Sequence, residues 1–215
     1  MAKKTIENLK YNNAQKTNKN FMFRDLKRSN CYNSEFSGSN FSFTSFRGAH
    51  FKSCDFFDCK FEWTEFIGTN LKKSKFKRSI FKNVVFEGVN LEGVDFSEAK
   101  FENVILVNTD IEKAKNLLLP EDTKIFEEMP ALEISDSLKE AIEDAMENEF
   151  IKRSRTLDTK DGGINPISVM ILLENFNEKS LINGLNLMQD RSEKDFSTLS
   201  YIIKTIKGYA ASGIL

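Results

Sequence analysis

The chain has 215 residues, with 31 Lys or Arg, 32 Asp or Glu and a formal net charge of −1. That balance excludes both a polybasic nucleic-acid binder and a strongly acidic chain. It conceals a split, because residues 1–115 carry a net charge of +6 and residues 116–215 a net charge of −7. The composition has one anomaly: 20 Phe against 4 Tyr and 1 Trp.

At the N-terminus, Lys3 and Lys4 are followed by no apolar run, so no signal peptide is expected. No stretch approaches the roughly 18–20 apolar residues of a membrane span. A cytoplasmic protein with no membrane partner is the expectation. Cys31, Cys54 and Cys59 are expected to be reduced, buried thiols.

From Phe21 onward every fifth residue is apolar. The series runs Phe21, Leu26, Cys31, Phe36, Phe41, Phe46 and on to Ile111, and 13 of its 19 members are Phe. The residue two places earlier is small at every repeat from Ser29 to Thr109, Cys54 and Cys59 included. A period of five matches neither the 3.6-residue helix nor the two-residue strand. It fits a chain that turns a corner every five residues. Each side then sends one large and one small residue inward, and four sides close a coil. The 19 repeats give about 4.75 coils, spaced at roughly 4.8 Å.

Thr69-Asn70-Leu71, Val89-Asn90-Leu91 and Val94-Asp95-Phe96 resemble the consensus of the pentapeptide-repeat family: a small residue, Asp or Asn, Leu or Phe, then two variable residues. The resemblance covers residues 19–115, with Ile6 and Tyr11 in phase within an irregular lead-in over residues 1–18. It implies a right-handed quadrilateral β-helix, a mainly β solenoid. The handedness comes from the resemblance, not from the period.

Residues 20 apart are expected to stack in columns. Phe41, Phe61, Phe81 and Phe101 continue one column begun by Phe21, while Phe56, Phe76 and Phe96 continue another begun by Phe36. Each buried Phe contributes on the order of 1.5–3 kcal/mol. On the outside, Phe23, Phe43 and Trp63 fall in one column and form a candidate patch for a protein partner. Lysines and arginines crowd residues 72–82. Acids crowd the next coil, with Glu87, Glu92, Asp95, Glu98 and Glu102 as candidate partner contacts. Some members of the family occupy the DNA site of a type II topoisomerase, such as gyrase, by resembling DNA. The acidic coil fits that role and the basic coil beside it argues against it.

After Ile111 the period fades. Residues 116–134 read as an exit and cap, with Leu117, Leu118 and Leu119 as candidates to close the coil's open end. A small helical domain follows over residues 135–215. Ser135 caps a first helix reaching about Lys152, with Leu138, Ala141, Ile142, Ala145, Met146 and Phe150 on one face. Asn165-Pro166 opens a second helix to about Phe176. A third spans about Glu178–Gln189, and a fourth starts after Ser192 and runs to about Tyr209.

The residues give no catalytic, cofactor or metal site. His50 reads as a surface residue, and no phosphate loop, zinc-spaced cluster or hydrolase elbow is present. The leading expectation is a non-enzymatic interaction scaffold with a protein partner and a homodimer contact through the C-terminal helices. The alternative is a DNA-mimicking modulator of a type II topoisomerase.

Overall fold

The architecture is a four-sided β-solenoid followed by a helical unit, in a computed structural model that describes residues 8–215. Ile6 and the Lys3–Lys4 stretch lie outside the described residues. The chain divides between Glu128 and Met129, and each unit is described by itself.

In the solenoid, residues 20 apart pair in parallel. Strands β1 (Lys10–Asn12), β2 (Asn30–Tyr32) and β3 (His50–Lys52) form one ladder, with Tyr11, Cys31 and Phe51 in register. Strands β4 (Lys60–Glu62), β5 (Glu65–Ile67), β6 (Ile80–Glu87), β7 (Lys100–Val107) and β8 (Lys124–Phe126) form a second sheet. Isolated bridges such as Glu35 to Asp55 and Asp55 to Lys75 carry the same register around the remaining side. The first side holds the Phe21–Phe101 column and the second holds Phe46, Phe66 and Phe86. The third holds Tyr11, Cys31 and Phe51, and the fourth holds Phe36, Phe56, Phe76 and Phe96.

Inside, the rings lie flat on one another. Phe41 stacks on Phe61 at 5.4 Å, Phe61 on Phe81 at 4.9 Å and Phe81 on Phe101 at 5.0 Å. Phe56 stacks on Phe76 at 4.7 Å, and Phe76 on Phe96 at 5.4 Å. Rings of adjacent columns meet edge to face, as Phe56 meets Phe61 with planes 65° apart. Both arrangements suit the aromatic quadrupole.

The small inward residues do more than leave room. Thr44, Thr64, Thr69, Ser74 and Ser79 each donate their hydroxyl to the carbonyl oxygen of the residue 23 places earlier. The Ser74 and Ser79 oxygens also accept the backbone N–H groups of Cys54 and Cys59. At Phe21, Phe46 and Phe56 the carbonyl also accepts a backbone N–H within its own corner, so the hydroxyl adds a second bond that ties one coil to the next. At the residue before each large one, Asn20, Asp55, Asn70, Asn90 and Asp95 accept the N–H two places on. This local bond tightens each corner.

Each corner also needs one left-handed residue. Every fifth position from Asn13 to Asn108 has φ between 45° and 69°. Asn and Gly fill many of these positions because they take that conformation at least cost.

The solenoid has about six turns, more than the 4.75 expected. Its ladder is regular from Lys10, inside the stretch expected to be an irregular lead-in. The reason is Lys16, which occupies an inward position and breaks the apolar series. Its ammonium sits over the Tyr11 ring, 4.7 Å from the centroid, at the rod's end. At the other end β8 adds a further strand, paired to β7 one residue short of the 20-residue repeat. Leu117 and Leu119 pack against the core there. Leu118 does not, and at 82 % exposure it is no part of the cap.

In the helical unit, Ser135 caps α1 (Asp136–Glu147) through Leu138 N–H at 3.1 Å. The first helix ends earlier than expected. Asn148 leaves helical geometry, and its side-chain oxygen caps α2 (Glu149–Ser154) while its amide donates to Gln189 O and Ser192 O. Ile151 is fully buried, whereas Met146 and Phe150 are only half-buried. Helix α3 (Pro166–Asn175) starts on an Asn165 cap and α4 (Glu178–Arg191) on an Asn177 cap. Helix α5 (Leu199–Ala211) begins well after Ser192, because residues 193–198 form a loop in which Phe196 stacks on Tyr201 at 4.5 Å. Helix α4 packs against α1, α3 and α5. A Cβ at Gly184 would lie 2.7 Å from Ile206, so glycine is what lets α4 and α5 close.

Candidate protein-interaction surface

Phe23, Phe43 and Trp63 occupy one outward column on the first side of the solenoid. Phe23 stacks on Phe43 at 4.8 Å with planes 7° apart, and Phe23 remains 55 % exposed. All three sit at the left-handed corner position, with φ of 60°, 60° and 51°. A bulky side chain there costs roughly 1–2 kcal/mol. Asn83 and Asn103 fill the same column further along, and the Asn103 amide donates to the Asn83 oxygen at 2.7 Å. The low-cost residue is therefore present in the column, and the aromatic ones stand where stability does not ask for them. Since the Phe23 and Phe43 rings face one another, that pair offers ring edges outward. That geometry suits an apolar protein surface better than a stacking sugar or base, which needs free ring faces.

The five candidate acids are not brought together. Glu102 lies on the first side, Glu87 on the second, Glu92 on the third, and Asp95 and Glu98 on the fourth. Three pair with the basic coil beside them: Lys72 with Glu92 at 2.7 Å, Lys77 with Glu98 at 3.2 Å and Lys82 with Glu102 at 2.6 Å. The Lys72 ammonium bonded to Glu92 holds that carboxyl below its ordinary range. The Ser97 hydroxyl, then the Asn116 amide, do the same for Asp95. Burial pushes the Glu87 carboxyl up, against a smaller pull from Arg47. The charge bands read from the sequence thus meet in three inter-coil ion pairs, among them the Lys82–Glu102 pair that the 20-residue spacing predicts.

The cysteines lie inside. The Cys59 thiol donates to Phe36 O at 3.1 Å, taking the place of a Ser or Thr hydroxyl. Burial pushes Cys31 up to about 11, and Cys54 and Cys59 up to about 12. His50 is exposed on β3. Among the described residues no group of His, Cys, Asp or Glu is placed to hold a metal ion. No described helix is long and apolar enough to cross a membrane.

Five-residue corners, stacked aromatic columns and hydroxyls that complete the ladder define the front of the chain as a β-solenoid of the repeat-built kind. A model of the family described as "Pentapeptide repeats" matches in eight copies, over residues 23–52, 34–72, 54–93 and 79–115. This repeat segment belongs to the pentapeptide-repeat family.

Solved structures are similar at low identity. One is a pentapeptide-repeat protein of the Arabidopsis thaliana thylakoid lumen, with 15% identity, 69% of this chain and 80% of that chain covered, and a TM-score of 0.42. Another is Rfr23 of the cyanobacterium Cyanothece 51142, with 12% identity, 45% and 86% covered, and a TM-score of 0.31. A third is QnrB1, a plasmid-mediated fluoroquinolone resistance protein, with 16% identity, 58% and 86% covered, and a TM-score of 0.26. No curated protein sequence matches the chain.

Proposed function

We propose that the chain is a non-enzymatic interaction scaffold whose solenoid presents a rigid surface to a protein partner and whose helical unit recruits a further protein or a second copy. One observation carries this reading: the aromatic strip Phe23–Phe43–Trp63, held at backbone positions where bulky residues cost stability. Residues kept at the surface against a local cost, with Phe23 exposed and Phe43 and Trp63 half-buried, point to binding. The test replaces all three by Asn, the residue the column already uses at Asn83 and Asn103. The expected result is equal or higher thermal stability with loss of the partner captured by the wild-type chain in crosslinking and mass spectrometry. Unchanged capture by the triple variant would defeat the reading.

The alternative is modulation of a type II topoisomerase by mimicry of DNA. Against it stand the spread of Glu87, Glu92, Asp95, Glu98 and Glu102 over all four sides and the lysines that neutralise three of them. A DNA mimic presents a continuous row of unpaired acids. Inhibition of gyrase supercoiling by the purified chain, lost on substituting Glu92 and Glu102, would favour mimicry. Analytical ultracentrifugation decides between a second copy and a different protein at the helical unit.

A further inference from the structure

The aromatic strip on the first side has a period of its own. The Phe23 and Phe43 rings lie 4.8 Å apart. Trp63 follows one coil further on, where its N–H bonds to Lys82 O as the Phe43 N–H bonds to Glu62 O. That step is the spacing of neighbouring strands. A helix laid along the strip repeats at about 5.4 Å. A single strand laid along it brings residues of one face about 6.8 Å apart. Neither keeps step with three rows, whereas the outer rows of another solenoid do.

The strip also complements itself. In a two-fold pairing one patch meets its own copy. With two rods antiparallel and the axis at Phe43, Phe43 meets Phe43 of the second copy and Phe23 meets its Trp63. Among the described rows, this is the register that gives each of the three an aromatic partner. It also suits the charges in the neighbouring columns. Lys60 comes opposite Asn20, and Glu62 comes opposite Met22. An axis at Trp63 instead sets Lys60 against Lys60 and Glu62 against Glu62, and like charges face to face oppose association.

We propose that the strip is a contact between two copies of this chain, side by side and antiparallel, with Phe43 on the two-fold axis. The inference rests on the reading that the strip binds a protein, and it names that protein as a second copy. Three rows make a small face, so the pair forms at high concentration.

The test is sedimentation equilibrium of the full chain up to about 1 mM. The wild-type chain is expected to dimerise, and the variant with Asn at all three strip positions to stay monomeric. Met22 reports the register. M22K sets an ammonium opposite Glu62 of the second copy and M22E sets a carboxylate there, each contact occurring twice. M22E is therefore expected to dimerise about ten-fold more weakly than M22K. Circular dichroism and thermal unfolding confirm that each variant folds. A monomeric wild-type chain, a dimer that survives the Asn variant, or equal or reversed effects of M22E and M22K overturn the proposal. A wild-type monomer that captures a different protein through the strip defeats this inference and leaves the reading beneath it standing.

Discussion

The Thr64 hydroxyl donates to the carbonyl oxygen of Phe41 at 2.9 Å, joining one coil to the one before it from inside the rod. Both residues are fully buried. Replacing Thr64 by Val keeps the shape and leaves that oxygen with no donor from this side chain. Thr64→Val is expected to cost about 1–2 kcal/mol in urea unfolding, and Thr64→Ser less. Equal effects would mean that the methyl group, not the hydroxyl, matters.

Ser79 tests the same position by volume. Its hydroxyl donates to Phe56 O at 2.6 Å and accepts from Cys59 N–H at 3.1 Å. Leu at this site overpacks the coil and strips both bonds. Ser79→Leu is expected to destabilise by at least about 2 kcal/mol in the same measurement.

Corner positions offer the opposite sign. Lys73 has φ of 61°, where Asn fits better. Lys73→Asn is expected to raise stability by about 0.5–1 kcal/mol, read as a higher melting temperature. Gly88, with φ of 58°, should respond in reverse, and Gly88→Ala is expected to destabilise by about 1 kcal/mol.

The pH response of Asp95 follows from its donors. The Ser97 hydroxyl, then the Asn116 amide, hold its carboxyl below the ordinary value. A depressed folded pKa contributes stability above the unfolded value, about 3.9. That contribution is lost as pH falls from there through the folded value. Acid unfolding of Asp95→Asn should therefore lack part of the wild-type loss below about pH 4. The carboxyl resonance of Asp95, followed by NMR, should titrate below that of an exposed Asp.

The thiols provide a probe of coil opening. With Cys54 and Cys59 pushed up to about 12, little thiolate exists at neutral pH, and burial bars the reagent. An aromatic disulfide reagent at pH 8 is expected to label none of the three cysteines in the folded chain and all three in denaturant. Rapid native labelling would contradict the buried assignment.

The five-residue phase was legible in the sequence because each repeat buries one large side chain, so Phe41, Phe61 and Phe81 announce their own column. Other features depend on the fold. Lys16 hid the first turn, since an ammonium over Tyr11 has no signature in an apolar series. The pairing of Lys77 with Glu98 spans 21 residues, so the 20-residue columns alone do not give it. The break at Asn148 arises because its amide reaches Gln189 and Ser192, far along the chain. For the surface, the Phe23–Phe43–Trp63 column was legible as a spacing. Its left-handed backbone was not, because two of those residues are Phe, a type seldom found there.

Because every outward row is anchored by inward residues at other positions, the rod separates what holds it together from what it displays. Changing a row of external letters leaves the internal grammar intact. One row of the display can therefore be rewritten while the frame beneath it stays as it is.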